Sequence, residues 1–342
     1  MLPKRCDRIR RPTPSEPETR LHSTFNRRRL LAIAALSLPL AAAAFPDKTI
    51  EWVVPYPAGG GSDVVARTLA EPMGKLLGQT IVVNNKPGAA TNIGADYAAK
   101  AKPDGHVMLT ADTATLAANP FLYAKLPYDV EKDFAPVGLM ARFPMLLVVN
   151  ASVPVKTLAE FTAWAKAQPG GINYATPGAG SPHHLATELF RERSGLKLTH
   201  VPYRGAAPAV QDVIGGQVPF MFADTASAYP HILSGKLRAI GVASPKRVAS
   251  FDTVPTLAEQ GLKDFEAYAW QGLVVPAATP PAAVAALSKA LVAALGTTAV
   301  KARFQTLGLE ALSSTPAQMA AYAKTERDKW GQVIRANNIR LD

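Results

Sequence analysis

Apolar residues along this chain fall into short runs separated by longer stretches with helical spacing. Residues 49–54 (TIEWVV), 81–83, 107–110, 145–149 and 172–175 are rich in β-branched and aliphatic side chains, and the pattern predicts strands. Between the first two, Val65, Leu69, Met73 and Leu76 recur at three- and four-residue intervals. That is one face of a helix, and Ser62 is its expected N-cap. Three further helix starts carry capping boxes: Thr157 with Glu160, Thr256 with Glu259, and Thr315 with Gln318, the last with Pro316 at the first helical position. In the final helix Met319, Tyr322, Trp330, Val333 and Ile334 are expected core contacts. Strands alternating with helices argue for an α/β fold with a largely parallel sheet.

The N-terminus follows a different rule. Arg27, Arg28 and Arg29 precede an apolar run from Leu30 to about Ala41, which ends in Ala42, Ala43 and Ala44. This is the layout of a cleavable secretory signal over residues 1–44 and implies a periplasmic product. The run is shorter than the roughly 20 residues that a spanning helix needs. Asn26 to Leu31 also fits a loose twin-arginine pattern, and Pro- and Arg-rich residues 1–25 fit an over-extended gene start. Cys6 is the single cysteine and lies ahead of the cleavage point, so the 298 residues that follow have no disulfide, thiolate nucleophile or cysteine metal site. The leader carries nine basic and three acidic residues, which leaves about +5 of the total +11. No dense basic run follows it, which argues against nucleic-acid binding.

Two strand–loop–helix units look alike. "PAGGGSD" (57–63) and "PGAGSPH" (177–183) each lead from a strand through Pro and glycine-rich backbone to a Ser at a helix start. In the first, no Lys follows Gly61, so the phosphate-loop motif fails. Counting from Gly59 and Gly61, the third glycine of a dinucleotide fingerprint would fall at Val64, so that motif fails too. Asp63 in the first turn would repel a polyphosphate. What remains is a nest of backbone N–H groups suited to a carboxylate or another small anion, or else a tight turn with no ligand. A bulky residue in place of Gly59 or Gly180 is expected to weaken ligand binding with little loss of fold.

Other candidate chemistry is sparser. His184 and Glu188 share a helix face, but a third metal ligand is missing, so no metal is expected. Ser181 and His184 would suit a secreted hydrolase, with Asp224 as the acid, although no nucleophile elbow surrounds Ser181. Tyr203-Arg204-Gly205, after a strand, offers bidentate recognition of a carboxylate by Arg204. Asp224, at a strand end, would hold a ligand hydroxyl or amine, or cap the next helix.

In their order, "PYPAGGGSDVVAR", "VVNNKPGAATNIGADYAAKAKPDGHVMLT", "PGAGSPHHLATELF", "VPYRGAAPAVQDVIGGQVPFMFAD", "GKLRAIGVASPKR", "FDTVPTLAEQG" and "WQGLVVPAATP" resemble the Bordetella uptake gene receptors of tripartite tricarboxylate transporters. The resemblance covers essentially the whole chain after the leader. It implies a two-lobed periplasmic-binding-protein fold that closes on a small carboxylate, with no catalysis and no cofactor. It implies a monomer that delivers its ligand to inner-membrane permease subunits. Carried over residue by residue, the binding positions are Ala58, Gly59, Gly60, Ser62 and Asp63 in the first loop, and Thr176, Gly178, Ala179, Gly180, Ser181 and His184 in the second. Thr113, Tyr203, Arg204, Gly205 and Asp224 complete the set. One lobe is expected to take residues 46–148 plus 254–342 and the other 149–253, with crossing segments near 148–150 and between 255 and 275. Asn84-Asn85-Lys86 departs from the family's Glu-Asn-Arg and is expected to alter the pocket floor. A receptor that signals through a partner protein, without a permease, stays open as an alternative, as does the hydrolase.

Overall fold

The computed structural model describes residues 45–341; the expected leader 1–44, with its arginine cluster and Cys6, lies outside them. Strand β1 (Ile50–Val54) is almost wholly buried, as a strand covered on both faces should be. Parallel strands flank it: β2 (Ile81–Asn85) on one side and β3 (Val107–Asp112) on the other. Helix α1 (Gly61–Leu77) joins β1 to β2, and α2 (Asn92–Ala99) joins β2 to β3. The buried face of α1 is Val65, Ala66, Leu69, Ala70 and Met73. Leu76, expected on that stripe, is instead 56% exposed. It sits in the last turn, where Gly78 in the left-handed region turns the chain toward β2.

The chain then passes a π-helical turn (Thr113–Ala118) and the short α3 (Asn119–Leu122) into the long β4 (Phe134–Asn150) and α4 (Leu158–Lys166). A second unit repeats the first. β5 (Ile172–Thr176) lies between β6 (Leu198–Pro202) and β7 (Phe220–Asp224), parallel to both. Helices α5 (Pro182–Ser194) and α6 (Ala206–Ile214) make the crossovers. The remainder is α7 (Thr225–Leu233), β8 (Leu237–Val242), β9 (Tyr268–Pro276), α8 (Pro281–Gly296), α9 (Thr298–Thr306), the short β10 (Glu310–Ala311) and α10 (Pro316–Ala336).

The sheet runs β2-β1-β3-β9-β4-β7-β5-β6, with β8 and β10 also on β4. It is mixed rather than largely parallel: β9 is antiparallel to β3 and β4, and β4 is antiparallel to β7 and β8. β4 changes partners midway. Through Pro144 it pairs with β9, and from Met145 onward with β7 and β8. The apolar pattern disclosed only its second half, because Pro136, Gly138, Arg142 and Pro144 interrupt the first; register shifts beside Gly138 and Ala141 accommodate the irregular stretch.

The capping boxes differ in what they cap. Thr315 and Gln318 form the complete reciprocal pair at the start of α10. At Thr157 the hydroxyl accepts from Glu160 N–H, but the Glu160 carboxylate takes Lys156 N–H instead of closing the box. Thr256 and Glu259 make both bonds, yet they cap a single turn rather than a helix. Met319, Trp330, Val333 and Ile334 are buried as expected, and Tyr322 packs against the same core while half-buried.

Candidate functional site

Both glycine loops follow the central strand of their parallel trio, the place where α/β sheets gather ligands. In the first loop the helix begins earlier than expected. Gly60 is the N-cap of α1, no side chain caps it, and Ser62 lies inside the first turn. The Ser62 hydroxyl instead accepts from Gln271 Nε2 of β9 at 2.5 Å. Asp63 is buried, and its carboxylate is taken up by the protein: Gly59 N–H, Arg67 Nε and Asn85 Nδ2 all donate to it. Burial works to raise the Asp63 pKa, but these donors outweigh it and hold the carboxyl below its ordinary range. Gly59 N–H is therefore turned inward, while the first-turn N–H groups of Gly61 and Ser62 have no intrahelical acceptor. Gly59 has open space where a Cβ would stand, whereas a Cβ on Gly61 would lie 3.1 Å from Phe143 Cε1 of β4.

The second loop is more tightly held. Gly178 N–H donates to Thr176 Oγ1, and Gly180 N–H donates to His184 Nδ1 at 3.0 Å. Ser181 is the true cap of α5, accepting from His184 N–H. Gly180 is buried at φ +73°, and a Cβ there would stand 2.5 Å from a Leu122 methyl and 2.9 Å from a Leu341 methyl. The expectation that a bulky residue leaves the fold intact fails at Gly180, where it would clash, and at Gly59 it meets open space but a backbone at φ +82° that strains any side chain. His184 lies behind the loop, and its Nδ1 is occupied, so it is not placed to take a proton from Ser181. Glu188 is bonded by Tyr174 and Arg191 and stands 3.9 Å from His184 Nε2. Among the described residues no group of three or more His, Cys, Asp or Glu is placed to hold a metal ion.

Strand β4 brings the loops together. The Phe143 ring lies against Gly61 at the start of α1. Two residues on, Met145 pairs with Asp224, whose carboxylate meets His183 Nε2 in the first turn of α5 at 3.1 Å. Asp224 also caps α7 through Ser227. Burial pushes its pKa up, but His183 and Ser227 prevail and keep it lowered. Two buried polar atoms in this region lack a protein partner: Gln271 Oε1, in a residue 5% exposed, and His183 Nδ1, in one 8% exposed.

The remaining expected residues are spread around this centre. Thr113 is fully buried and accepts from Trp270 N–H. The Tyr203 hydroxyl donates to Asp212, and Gly205 N–H ties back to Pro177 C=O beside the second loop. Arg204 is exposed. Ala58 and Gly60 are exposed on the first loop, and Ala179 is half-buried on the second. In the departure from the family pattern, Asn85 anchors the first loop through Tyr56 C=O and Asp63. Asn84 turns to Glu51, and Lys86 lies 4.0 Å from the centre of the Tyr97 ring. A cavity of about 730 Å³ lined by Phe121, Tyr128, Asp133 and Arg327 belongs to other segments of the chain. Sequence reasoning missed Gln271 and His200. The signal for Gln271 was present, since it is the lone strongly polar side chain within the apolar β9.

Two parallel trios with a glycine loop after each central strand, joined through shared antiparallel strands, define a solute-binding receptor of the periplasmic class. The chain belongs to the tripartite tricarboxylate transporter family receptors, whose family model matches residues 65–339. It is 36% identical over 312 residues to Protein BugT of Bordetella pertussis, covering 91% of this chain and 96% of that one. An R. palustris protein solved with adipate superposes with a TM-score of 0.82 at 32% identity, covering 87% of this chain and 100% of its own. MatC from Rhodopseudomonas palustris with bound malate gives a TM-score of 0.77 at 35% identity, covering 85% of this chain and 100% of its own. Proteins of this family are substrate-binding receptors of the periplasm, not enzymes.

Proposed function

We propose that this receptor captures a small carboxylate, best a dicarboxylate, between the first turns of α1 and α5 and delivers it as a monomer to inner-membrane permease subunits. The observation that carries the reading is the pair of helix N-termini on either side of Phe143–Met145, with Gln271 Oε1 and His183 Nδ1 buried there and unpartnered. Helix N-termini favour anions through their free N–H groups and dipoles. Two of them in one cleft suit a ligand charged at both ends, in keeping with adipate and malate in the two structural neighbours. Asp63 and Asp224, engaged by the protein, shape the loops rather than meet the anion. Gln271 Oε1 is matched to a ligand hydroxyl or amine. Arg204 stands at the rim as a carboxylate clamp.

Residues 46–148 plus 254–342 form one lobe in this reading and 149–253 the other, with β4 as a crossing segment that leaves β9 at Pro144 and pairs with β7 and β8 up to Asn150. Closure needs contacts that differ between the open and closed states, and a ligand held by both loops provides them. A thermal-shift screen of C4–C8 dicarboxylates against matched monocarboxylates and neutral diols tests the proposal. Binding raises apparent stability by roughly 2.7 kcal/mol at a hundredfold excess over Kd. Dicarboxylates are expected to raise the melting temperature most; a chain that responds to diols but to no acid would overturn the reading.

A further inference from the structure

A cluster of three rings lies under the second glycine loop. His184 of α5 and His200 of β6 stack with centroids 3.9 Å apart and planes 10° apart, and Tyr174 of β5 lies beside the pair, 5.1 Å from His200 and 6.2 Å from His184. Each histidine reaches one end of the loop. His184 Nδ1 accepts from Gly180 N–H, and His200 Nε2 meets Thr176 Oγ1 at 2.6 Å, the hydroxyl that takes Gly178 N–H. We infer that His184 and His200 are positioning residues for the ligand: together they turn the Gly178 and Gly180 N–H groups inward and so fix which amides of the loop face the cleft. The inference rests on the carboxylate reading for its consequence, but the loop geometry itself is testable without a ligand.

The chemistry at His184 is strict. A backbone amide only donates, so Nδ1 must be bare and the ring neutral, with its proton on Nε2. Nε2 faces Glu188, which is held by Tyr174 and Arg191. Those residues and His200 are the titratable and charged groups around the pair. Burial first, then His200 and Arg191, lowers the His184 pKa to about 3; burial alone lowers that of His200 to about 4. Both values lie below that of an ordinary histidine, near 6.5. The neutral pair therefore contributes its full stabilisation above about pH 6.5 and loses it progressively as pH falls toward the folded values. His200 tolerates a proton at Nε2, because Thr176 Oγ1 can accept from it and donate to Gly178 C=O at 3.1 Å. His184 does not, because a proton on Nδ1 removes the acceptor for Gly180.

The test compares His184→Asn, whose Oδ1 stands near the place of Nδ1, with His184→Leu, which fills the space without an acceptor. Nitrogen-15 NMR of the ligand-free receptor should show His184 Nδ1 unprotonated and coupled to Gly180 N–H from pH 7.5 down to pH 5. Gly180 amide exchange should stay slow in H184N and rise at least tenfold in H184L. With adipate and malate as calorimetric probes, H184N should bind within threefold of the unaltered receptor, and H184L at least tenfold more weakly. A protonated Nδ1 at pH 7, or equal Gly180 exchange in the two variants, overturns the inference. If the unaltered receptor binds neither acid, the carboxylate reading fails alone, and the exchange data still decide the role of His184.

Discussion

In the proposed reading, Asp63 serves the first glycine loop by holding its backbone rather than by meeting the ligand. It stands in the first turn of α1, where an acid complements the helix dipole, and collects donors from Gly59, Arg67 and Asn85. A free carboxylate there would repel an anionic ligand; a carboxylate already surrounded by donors fixes the loop instead. Its pKa is lowered, so its stabilising contribution is full above the ordinary carboxylate range and lost as pH falls through its own lower value. Asp63→Asn is therefore expected to cost about 1.5–3 kcal/mol at pH 7, the order of a hydrogen bond to a charged group. The difference from the unaltered chain should shrink as the solution is taken toward pH 3. Chemical denaturation at the two pH values checks this, and a difference that grows in acid would contradict the assignment.

At the scale of elements, the two serines of the echoing motifs do different work. Ser181 caps α5, whereas Ser62 lies inside α1 and bonds Gln271 across to β9. Ser181→Ala should cost about 1 kcal/mol, and Ser181→Asp should recover most of it, because aspartate caps equally well. Ser62→Ala leaves the buried Gln271 Nε2 without its partner, a loss of roughly 1–3 kcal/mol that Ser62→Asp does not repair, since it places a charge in the same buried spot. Melting curves of the four variants separate the roles. The contrast also marks what was legible in the sequence. Strand, loop and helix follow one another locally, so the β1–α1 and β5–α5 units and their glycine loops could be read from residue order alone. Local order says nothing about what lies across the sheet. Gln271 meets Ser62, and His200 stacks on His184, only because β9 and β6 are brought alongside by the topology. Ser62 looked like a cap because the sequence places it where a cap belongs; Gly60 takes the position because glycine is also tolerated there. The first half of β4 escaped for a related reason, its prolines and Arg142 breaking the apolar alternation that betrays a strand.

At the scale of the whole molecule, the chain end bridges the two repeated units. After α10, Leu341 N–H donates to Leu122 C=O of α3, and Arg340 reaches Phe121 C=O. The Leu341 and Leu122 methyls together cover Gly180, the buried glycine of the second loop. Nearby, Arg191 of α5 bonds Asn337 at the end of α10. The tail thus ties the loop that follows β5 to the segment that follows β3. If the two lobes close around a carboxylate, this contact belongs to the closed arrangement and adds to its stability over the open one. Removing residues 339–342 deletes both hydrogen bonds to α3 and the Leu341 methyl that covers Gly180 beside the α5 N-cap, but removes no residue of either glycine loop. The truncated receptor is expected to bind adipate or malate several-fold more weakly, mainly through faster release, since closure rather than encounter is affected. Leu341→Ala should reproduce part of the loss. Stopped-flow measurement of the two rate constants is the check. A truncation that slows association while leaving dissociation unchanged would place the tail on the route of entry instead of in the clasp.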